Sequence, residues 1–248
     1  MNDFDPWRGT PSSITKKNIL EDAYNRSERF DPFGIEDLKA SLGKQNTASD
    51  LSTDSLPVIG RPPSILTVCT GNICRSPYFE RVLGTQLKML GVRVSSAGTD
   101  AIEGRPMDPN TEFLLNAQDL ESSGFMSRPI SEKIVLESDL VLTATRDHRR
   151  AVVQSVPSAL SRVFALSDFA DLCSGIDLDA TRSADSENFI SDLVRAANAR
   201  RSFVPVRSNE SADILDPYRK GHSAFVEMQH QSLGYLNVIA EAVKHAHR

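Results

Sequence analysis

Hydrophobic and polar positions divide the chain at about residue 62. Before it, apolar residues are scattered among Ser, Thr, Asn, Asp, Pro and charges of both signs. The piece Leu42-Gly43-Lys44-Gln45-Asn46-Thr47 shows no periodicity. Segments that bury little apolar surface cannot offset the entropy of ordering. Residues 1–62 therefore read as an extension that is mostly disordered, with one short helix near Ile35–Leu42 and the extended Arg61-Pro62-Pro63 as its end. A tether or a docking segment for an unspecified partner are the two roles it suggests.

From Ser64 the pattern alternates. Ile65–Val68 is β-prone, and Phe79, Val82, Leu83, Leu87 and Leu90 follow at helical spacings until Gly91. Val92–Ser95 predicts a second strand and Thr111–Leu120 a helix. Asp139–Thr143 predicts a third strand, Arg146–Val153 a helix, and Arg162–Leu166 a fourth strand. Between Asp171 and Asp213 the pattern weakens: Cys173–Asp177 and Ser208–Ser211 read as loops, with a helix inside Ala184–Arg201. A last helix spans about Ser223–Ala246. Strands alternating with helices predict a parallel sheet covered on both faces, an α/β sandwich. The domain expected is 63–248, with an inserted or extended segment at about 171–212.

Composition narrows the function. Of 248 residues, 40% are hydrophobic and 25% charged, as in ordinary globular proteins. The formal net charge of -5 argues against a general nucleic-acid binder. No apolar run suits membrane insertion, and the first residues carry no secretory pattern. Three cysteines, Cys69, Cys74 and Cys173, do not suit a disulfide-stapled secreted fold, so the cytoplasm is the expected compartment.

The chemistry concentrates in Cys69-Thr70-Gly71-Asn72-Ile73-Cys74-Arg75-Ser76-Pro77. A cysteine ends a strand, and Arg-Ser-Pro opens a helix. The backbone between them can curl so that its N–H groups converge, and the helix adds its own unpaired N–H groups and the positive end of its dipole. That makes a cradle for a tetrahedral oxyanion from Thr70, Gly71, Asn72, Ile73, Cys74, Arg75 and Ser76. Gly71 is expected to allow close approach and an unusual φ, and Asn72 to tolerate a left-handed conformation. A thiol in such a field beside a cation is held as thiolate, so Cys69 is the candidate nucleophile. Arg75 can grip two phosphate oxygens at once. Ser76 can donate its hydroxyl to the Cys69 sulfur.

The string resembles the signature loop of the low-molecular-weight protein tyrosine phosphatases. Ser96-Ala97-Gly98-Thr99 with Gly104-Arg105-Pro106-Met107-Asp108-Pro109, Asp139–Leu142 with Arg146–Arg150, and Asp213-Ile214-Leu215-Asp216-Pro217-Tyr218 follow in the family's order. The total length resembles the longer bacterial members. The resemblance implies a three-layer sandwich with sheet order 2-1-3-4 and the loop after the first strand. It implies hydrolysis of phosphotyrosine in a protein substrate through a cysteinyl-phosphate, with no metal or other cofactor. It assigns Asp216 as acid and then base, Tyr218 to the cleft wall, and Cys74 as redox partner of Cys69. Three places depart from the family: Asp100–Glu103 holds no wall aromatic, Phe125 stands where a loop-supporting His is common, and Thr143-Ala144-Thr145 ends the third strand without Met. The five histidines are expected on the surface, and Cys173 without a role. Two alternatives remain: a non-catalytic phosphoprotein-binding module, and a thiol-dependent arsenate reductase, which would need further thiols.

Overall fold

The computed structural model describes residues 61–176 and 188–248. The expectations for the N-terminal extension, including a helix near Ile35–Leu42, thus lie almost wholly outside the described residues. In chain order the elements are β1 (Ser64–Cys69), α1 (Arg75–Leu87), β2 (Arg93–Gly98), α2 (Pro109–Asn116), α3 (Glu132–Leu136), β3 (Leu140–Thr143), α4 (Arg146–Ser155), β4 (Val163–Ala165), α5 (Leu166–Cys173), α6 (Phe189–Ala199), α7 (Asn209–Ala212) and α8 (His222–His247). The four strands are parallel and lie in the order β2-β1-β3-β4, as the resemblance implied.

Period-two alternation assigns each strand residue to a face. Ile65, Cys69, Leu140, Leu142 and Phe164 turn to one layer, where α1, α5, α6 and α8 supply Phe79, Leu83, Phe169, Leu193, Met228 and Ile239. Leu66, Val68, Val141 and Val163 turn to the other, against Val135, Val152 and Val156. β1 is central and buried along its whole length, so the loop that leaves it is held between two layers. Asp139 anchors its start, accepting from the Ser64 backbone N–H at 2.8 Å.

Caps set several boundaries. Asp108 accepts from the Asn110 N–H and Pro109 takes the first helical position, so α2 begins earlier than periodicity suggests. Thr145 caps α4 through the His148 N–H. Gly91, at φ 66°, ends the 3-10 turn that follows α1.

Three helices were not legible. α5 follows β4 directly, and its first residue, Leu166, closes the apolar run read as strand. Asp171–Cys173 form its last turn rather than the start of an irregular segment. α3 is five residues long, too short for a periodic signal. α7 replaces the loop expected at Ser208–Ser211: its single turn rests on Ala212, buried, whose carbonyl accepts from Ser167 Oγ at 2.6 Å. Among the described residues, no helix is long and apolar enough to cross a membrane.

Candidate active site

The turn from β1 into α1 is shaped by its carbonyls. Those of Cys69, Thr70, Ile73 and Cys74 accept from the N–H groups of Thr99, Asp100, Asp108 and Tyr78 at 2.9, 2.9, 2.9 and 3.3 Å. In a trans peptide unit the C=O and the next N–H point in opposite directions. Tying these carbonyls outward therefore turns the N–H groups of Thr70, Gly71, Cys74 and Arg75 toward the interior of the curl.

Asn72 is the keystone of the curl. It sits at φ 53° and is fully buried. Its Nδ2 donates to Ser76 Oγ (2.9 Å) and Ser96 Oγ (2.8 Å), and its Oδ1 accepts from the Arg128 N–H (2.9 Å). The unusual φ expected at Gly71 is thus found at Asn72. A Cβ on Gly71 would meet only the Ile73 side chain, at 3.7 Å. The position that requires glycine is Gly98, at the end of β2, where a Cβ would lie 2.3 Å from the Thr70 carbonyl oxygen and 2.9 Å from the Asn72 nitrogen. Arg128 also donates from Nε to the Ser96 carbonyl at 2.8 Å, so it braces the loop while Phe125 packs into the core.

Cys69 Sγ lies at the floor, 3.0 Å from Ser76 Oγ. Ser76 Oγ accepts from Asn72, and its own proton has two acceptors in reach, the sulfur at 3.0 Å and the Ala97 carbonyl at 3.4 Å. Arg75 is buried. It donates from Nη1 to the Ile214 carbonyl (3.3 Å) and from Nη2 to Thr70 Oγ1 (3.4 Å), and its Nη2 lies 2.9 Å from Asp216 Oδ2. Its Nε is buried with no hydrogen-bond partner among the described residues. An orphaned buried donor costs about 1–3 kcal/mol, and an oxyanion bound in the cleft would satisfy it.

The Asp216 segment is fastened at several points. Ile214 N–H donates to the Ala144 carbonyl (2.9 Å), Leu215 N–H to Gln231 Oε1 (2.9 Å), and Asp213 Oδ1 accepts from the Arg146 N–H (2.8 Å). Thr143-Ala144-Thr145 therefore serves this site through Ala144 backbone, which no side-chain pattern reveals. The Asp216 carboxylate stays half-exposed at the rim of a cleft of about 190 Å³ lined by the loop, Asp100, Ile102, Arg105 and Tyr218. Tyr218 and Ile102 make the apolar walls, and the Arg219 guanidinium lies 5.1 Å from the Tyr218 ring centroid.

One residue expected on the open surface belongs here. His148 reaches Thr70 Oγ1 with Nε2 (2.8 Å) and Thr145 Oγ1 with Nδ1 (2.6 Å). Neutral His148 donates from one ring nitrogen and accepts at the other, so the two threonine hydroxyls satisfy both ends of the ring. Burial, then the Arg75 guanidinium, lower its pKa from 6.5 to about 4. Thr145-x-x-His148 is a helix-cap spacing next to the central strands, and that was the available signal.

The structure brings Cys74 close enough to Cys69 and Asp108 for their charges, with burial the larger cause, to push its thiol upward. Cys173 is buried in the core at the end of α5. Among the described residues no group of three or more His, Cys, Asp or Glu side chains is arranged to hold a metal.

Residues 64–189 match the family model described as low molecular weight phosphotyrosine protein phosphatase. A Salmonella typhi low molecular weight protein-tyrosine-phosphatase, Wzb, is 38% identical over 99 residues, covering 40% of this chain and 65% of that relative. The chain thus spans about two thirds of that relative's length. A protein-arginine-phosphatase of Geobacillus stearothermophilus is 35% identical over 118 residues, 48% of this chain and 76% of the relative. Among solved structures, Vibrio vulnificus Wzb in complex with benzylphosphonate superposes with a TM-score of 0.52 over 73% of this chain and 99% of that one, at 23% identity, a likeness of fold. With the family model covering half the sequence, this chain belongs to the low molecular weight phosphotyrosine protein phosphatases.

Proposed function

We propose that the chain hydrolyses phosphotyrosine in a protein substrate through a cysteinyl-phosphate. The observation that carries this reading is the placement of Cys69 Sγ, the buried Arg75 fork and Asp216 around one cleft. The phosphoryl group enters the curl, bound by the N–H groups of Thr70 to Ser76 and by Arg75, whose Nε gains its missing acceptor. To reach Arg75 the phosphate displaces the Asp216 carboxylate from Nη2, and the half-exposed group, released from the guanidinium, takes a proton from solvent and turns to the ester oxygen. Cys69 sulfur attacks phosphorus and the P–O(aryl) bond breaks. Asp216 delivers its proton to the departing phenolate. The carboxylate so formed takes a proton from water as the water oxygen attacks phosphorus. The S–P bond breaks, Ser76 steadies the leaving sulfur, and inorganic phosphate departs. A pure binding module has no use for the acid, and arsenate reduction would call on a thiol relay that Cys173, buried in the core, does not offer. Cys74, in the same loop, would condense with Cys69 once that sulfur is oxidised to the sulfenic acid, giving a disulfide and water. The reduced thiols this chemistry needs fit the cytoplasm.

A peptide panel carrying phosphotyrosine, phosphoserine, phosphothreonine and phosphoarginine tests the reading. The arginine arm is included because one relative is named for that substrate. Turnover is expected for the phosphotyrosine peptide above all others, since Ile102 and Tyr218 wall the cleft for a flat ring. Turnover of phosphoarginine alone would replace the substrate while leaving the cysteine chemistry in place.

His148 yields a pH prediction. Its proton is disfavoured in the folded state, so between its ordinary pKa of 6.5 and about 4 the unfolded chain binds more protons there. Stability must then fall as pH drops through that window and level off below it. His148→Gln, which keeps a donor and an acceptor but does not titrate, is expected to flatten the slope of Tm against pH there. An unchanged slope, measured by thermal melts from pH 7 to 4, would show that His148 is not the responsible group.

A further inference from the structure

The open edge of the sheet at β4 gathers guanidinium groups. Arg146, Arg149, Arg150 and Arg201 line a groove of about 480 Å³ between α4, α5 and the segment after α6. The acids there are already engaged. Asp168 gives both oxygens to Arg146, at 3.0 and 2.7 Å. Asp171 gives both to Arg207, at 2.5 and 2.7 Å. Arg150 pairs with Asp147 at 3.0 Å. Arg149 and Arg201 are left without an ion pair among the described residues.

These two side chains are nonetheless held in place. Arg149 Nε donates to the Val163 carbonyl on the free edge of β4 at 2.9 Å. Arg201 Nε donates to Asn198 Oδ1 at 2.8 Å, and its guanidinium carbon lies 4.6 Å from the Phe164 ring centroid. Each is pinned through Nε, with its Nη nitrogens bonded to no described residue. Burial, then the Arg149 charge, lower the pKa of Arg201, with Asp168 acting the other way. Apart from Gln154, the rest of the wall is apolar: Val153, Leu172, Val204, Pro205 and Val206.

We propose that this groove is a second recognition site of the phosphatase, in which Arg149 and Arg201 grip an acidic side chain of the peptide whose phosphotyrosine occupies the catalytic cleft, while a neighbouring apolar side chain rests on Val204–Val206. The inference rests on the phosphotyrosine reading. Charge complementarity selects an anion, and the apolar wall selects one carried on a chain over a bare ion. Placement supplies the link to the cleft. α4 presents His148 to the catalytic loop and Arg146 and Arg149 to the groove, and β4 lies two strands from β1, about 10 Å away. An extended peptide covers that span in about three residues. The acidic residue belongs about three to five positions from the phosphotyrosine.

The test compares two phosphotyrosine peptides, one with Glu at those positions and one with Gln, together with p-nitrophenyl phosphate, which cannot reach the groove. The full chain is expected to prefer the Glu peptide about tenfold in kcat/KM at low salt, the scale of one charge-assisted contact. The preference should shrink at high salt. Arg149→Gln with Arg201→Gln should abolish it and leave p-nitrophenyl phosphate turnover unchanged. Arg201→Gln alone, at an exposed side chain, should at least halve it and guards against misfolding of the double variant. Equal kcat/KM for both peptides, or a preference that survives both variants, overturns the groove while turnover of p-nitrophenyl phosphate keeps the hydrolytic reading standing. Fluorescence anisotropy of the labelled peptides reads the groove without catalysis. If no substrate is turned over, the hydrolytic reading fails, and Glu-over-Gln selectivity in binding still decides for or against the anion site.

Discussion

Cys69→Ser is expected to lower phosphomonoesterase turnover by at least about 10⁴-fold while leaving the fold and the oxyanion cradle intact. The thiol is buried and packed with the first core layer, and serine is nearly the same size. The loop carbonyls remain tied to Thr99, Asp100, Asp108 and Tyr78, and Asn72 keeps its three side-chain bonds. What changes is the attacking atom: a serine hydroxyl is a far weaker nucleophile than a cysteine sulfur, and among the described residues no side chain at the floor is placed to remove its proton. The variant should therefore still bind inorganic phosphate, with the affinity of the wild type within a few-fold, by isothermal titration calorimetry. Retained p-nitrophenyl phosphate hydrolysis in Cys69→Ser would remove the nucleophile from the mechanism. Lost phosphate binding would mean that the thiol holds the cradle together rather than reacting within it.

The parts of this site that sequence displayed are those written in local order. β1, the Cys69–Ser76 turn and α1 are contiguous, so the strand end, the candidate nucleophile, the arginine and the helix start could be read from one string. Asp216 lies far along the chain, and only its position within a family motif singled it out from the 33 acidic residues. The supporting contacts were hidden for a physical reason: they join residues distant in sequence through backbone atoms or through small side chains. Gly98 matters because the Thr70 carbonyl passes 2.3 Å from where its Cβ would sit, a property of two neighbouring strands' ends rather than of the Ser-Ala-Gly-Thr string. Arg128 reaches Asn72 with a main-chain N–H. His148 looked like one charged-face residue of a helix beginning Arg-Asp-His-Arg-Arg. Its first turn, capped by Thr145, places the imidazole against Thr70. The same logic explains the overlooked α5: Val163 to Ala170 is nearly continuous apolar sequence, and where strand gives way to helix inside such a run is decided by the layers above and below it.

Asp216→Asn should separate two effects that the wild-type side chain combines. Asparagine keeps the shape but cannot deliver a proton, so kcat/KM for a phosphotyrosine peptide is expected to fall about 10²–10³-fold. The loss should be clearly smaller for p-nitrophenyl phosphate, whose leaving group departs with less help from an acid. At the same time, removing the carboxylate that sits 2.9 Å from Arg75 Nη2 removes the anion that, among the described residues, competes with phosphate for that guanidinium. Inorganic phosphate should then inhibit the variant several-fold more tightly than the wild type, and most visibly at low salt, because the carboxylate is half-exposed and its interaction is screened. Catalysis falling while ground-state anion affinity rises is what a proton donor resting on the phosphate-binding arginine must produce. If both substrates lost the same factor, Asp216 would be holding Arg75 in place rather than protonating the phenolate. If phosphate inhibition weakened instead, the carboxylate would be part of the cradle, and the displacement of Asp216 by incoming substrate would have to be abandoned.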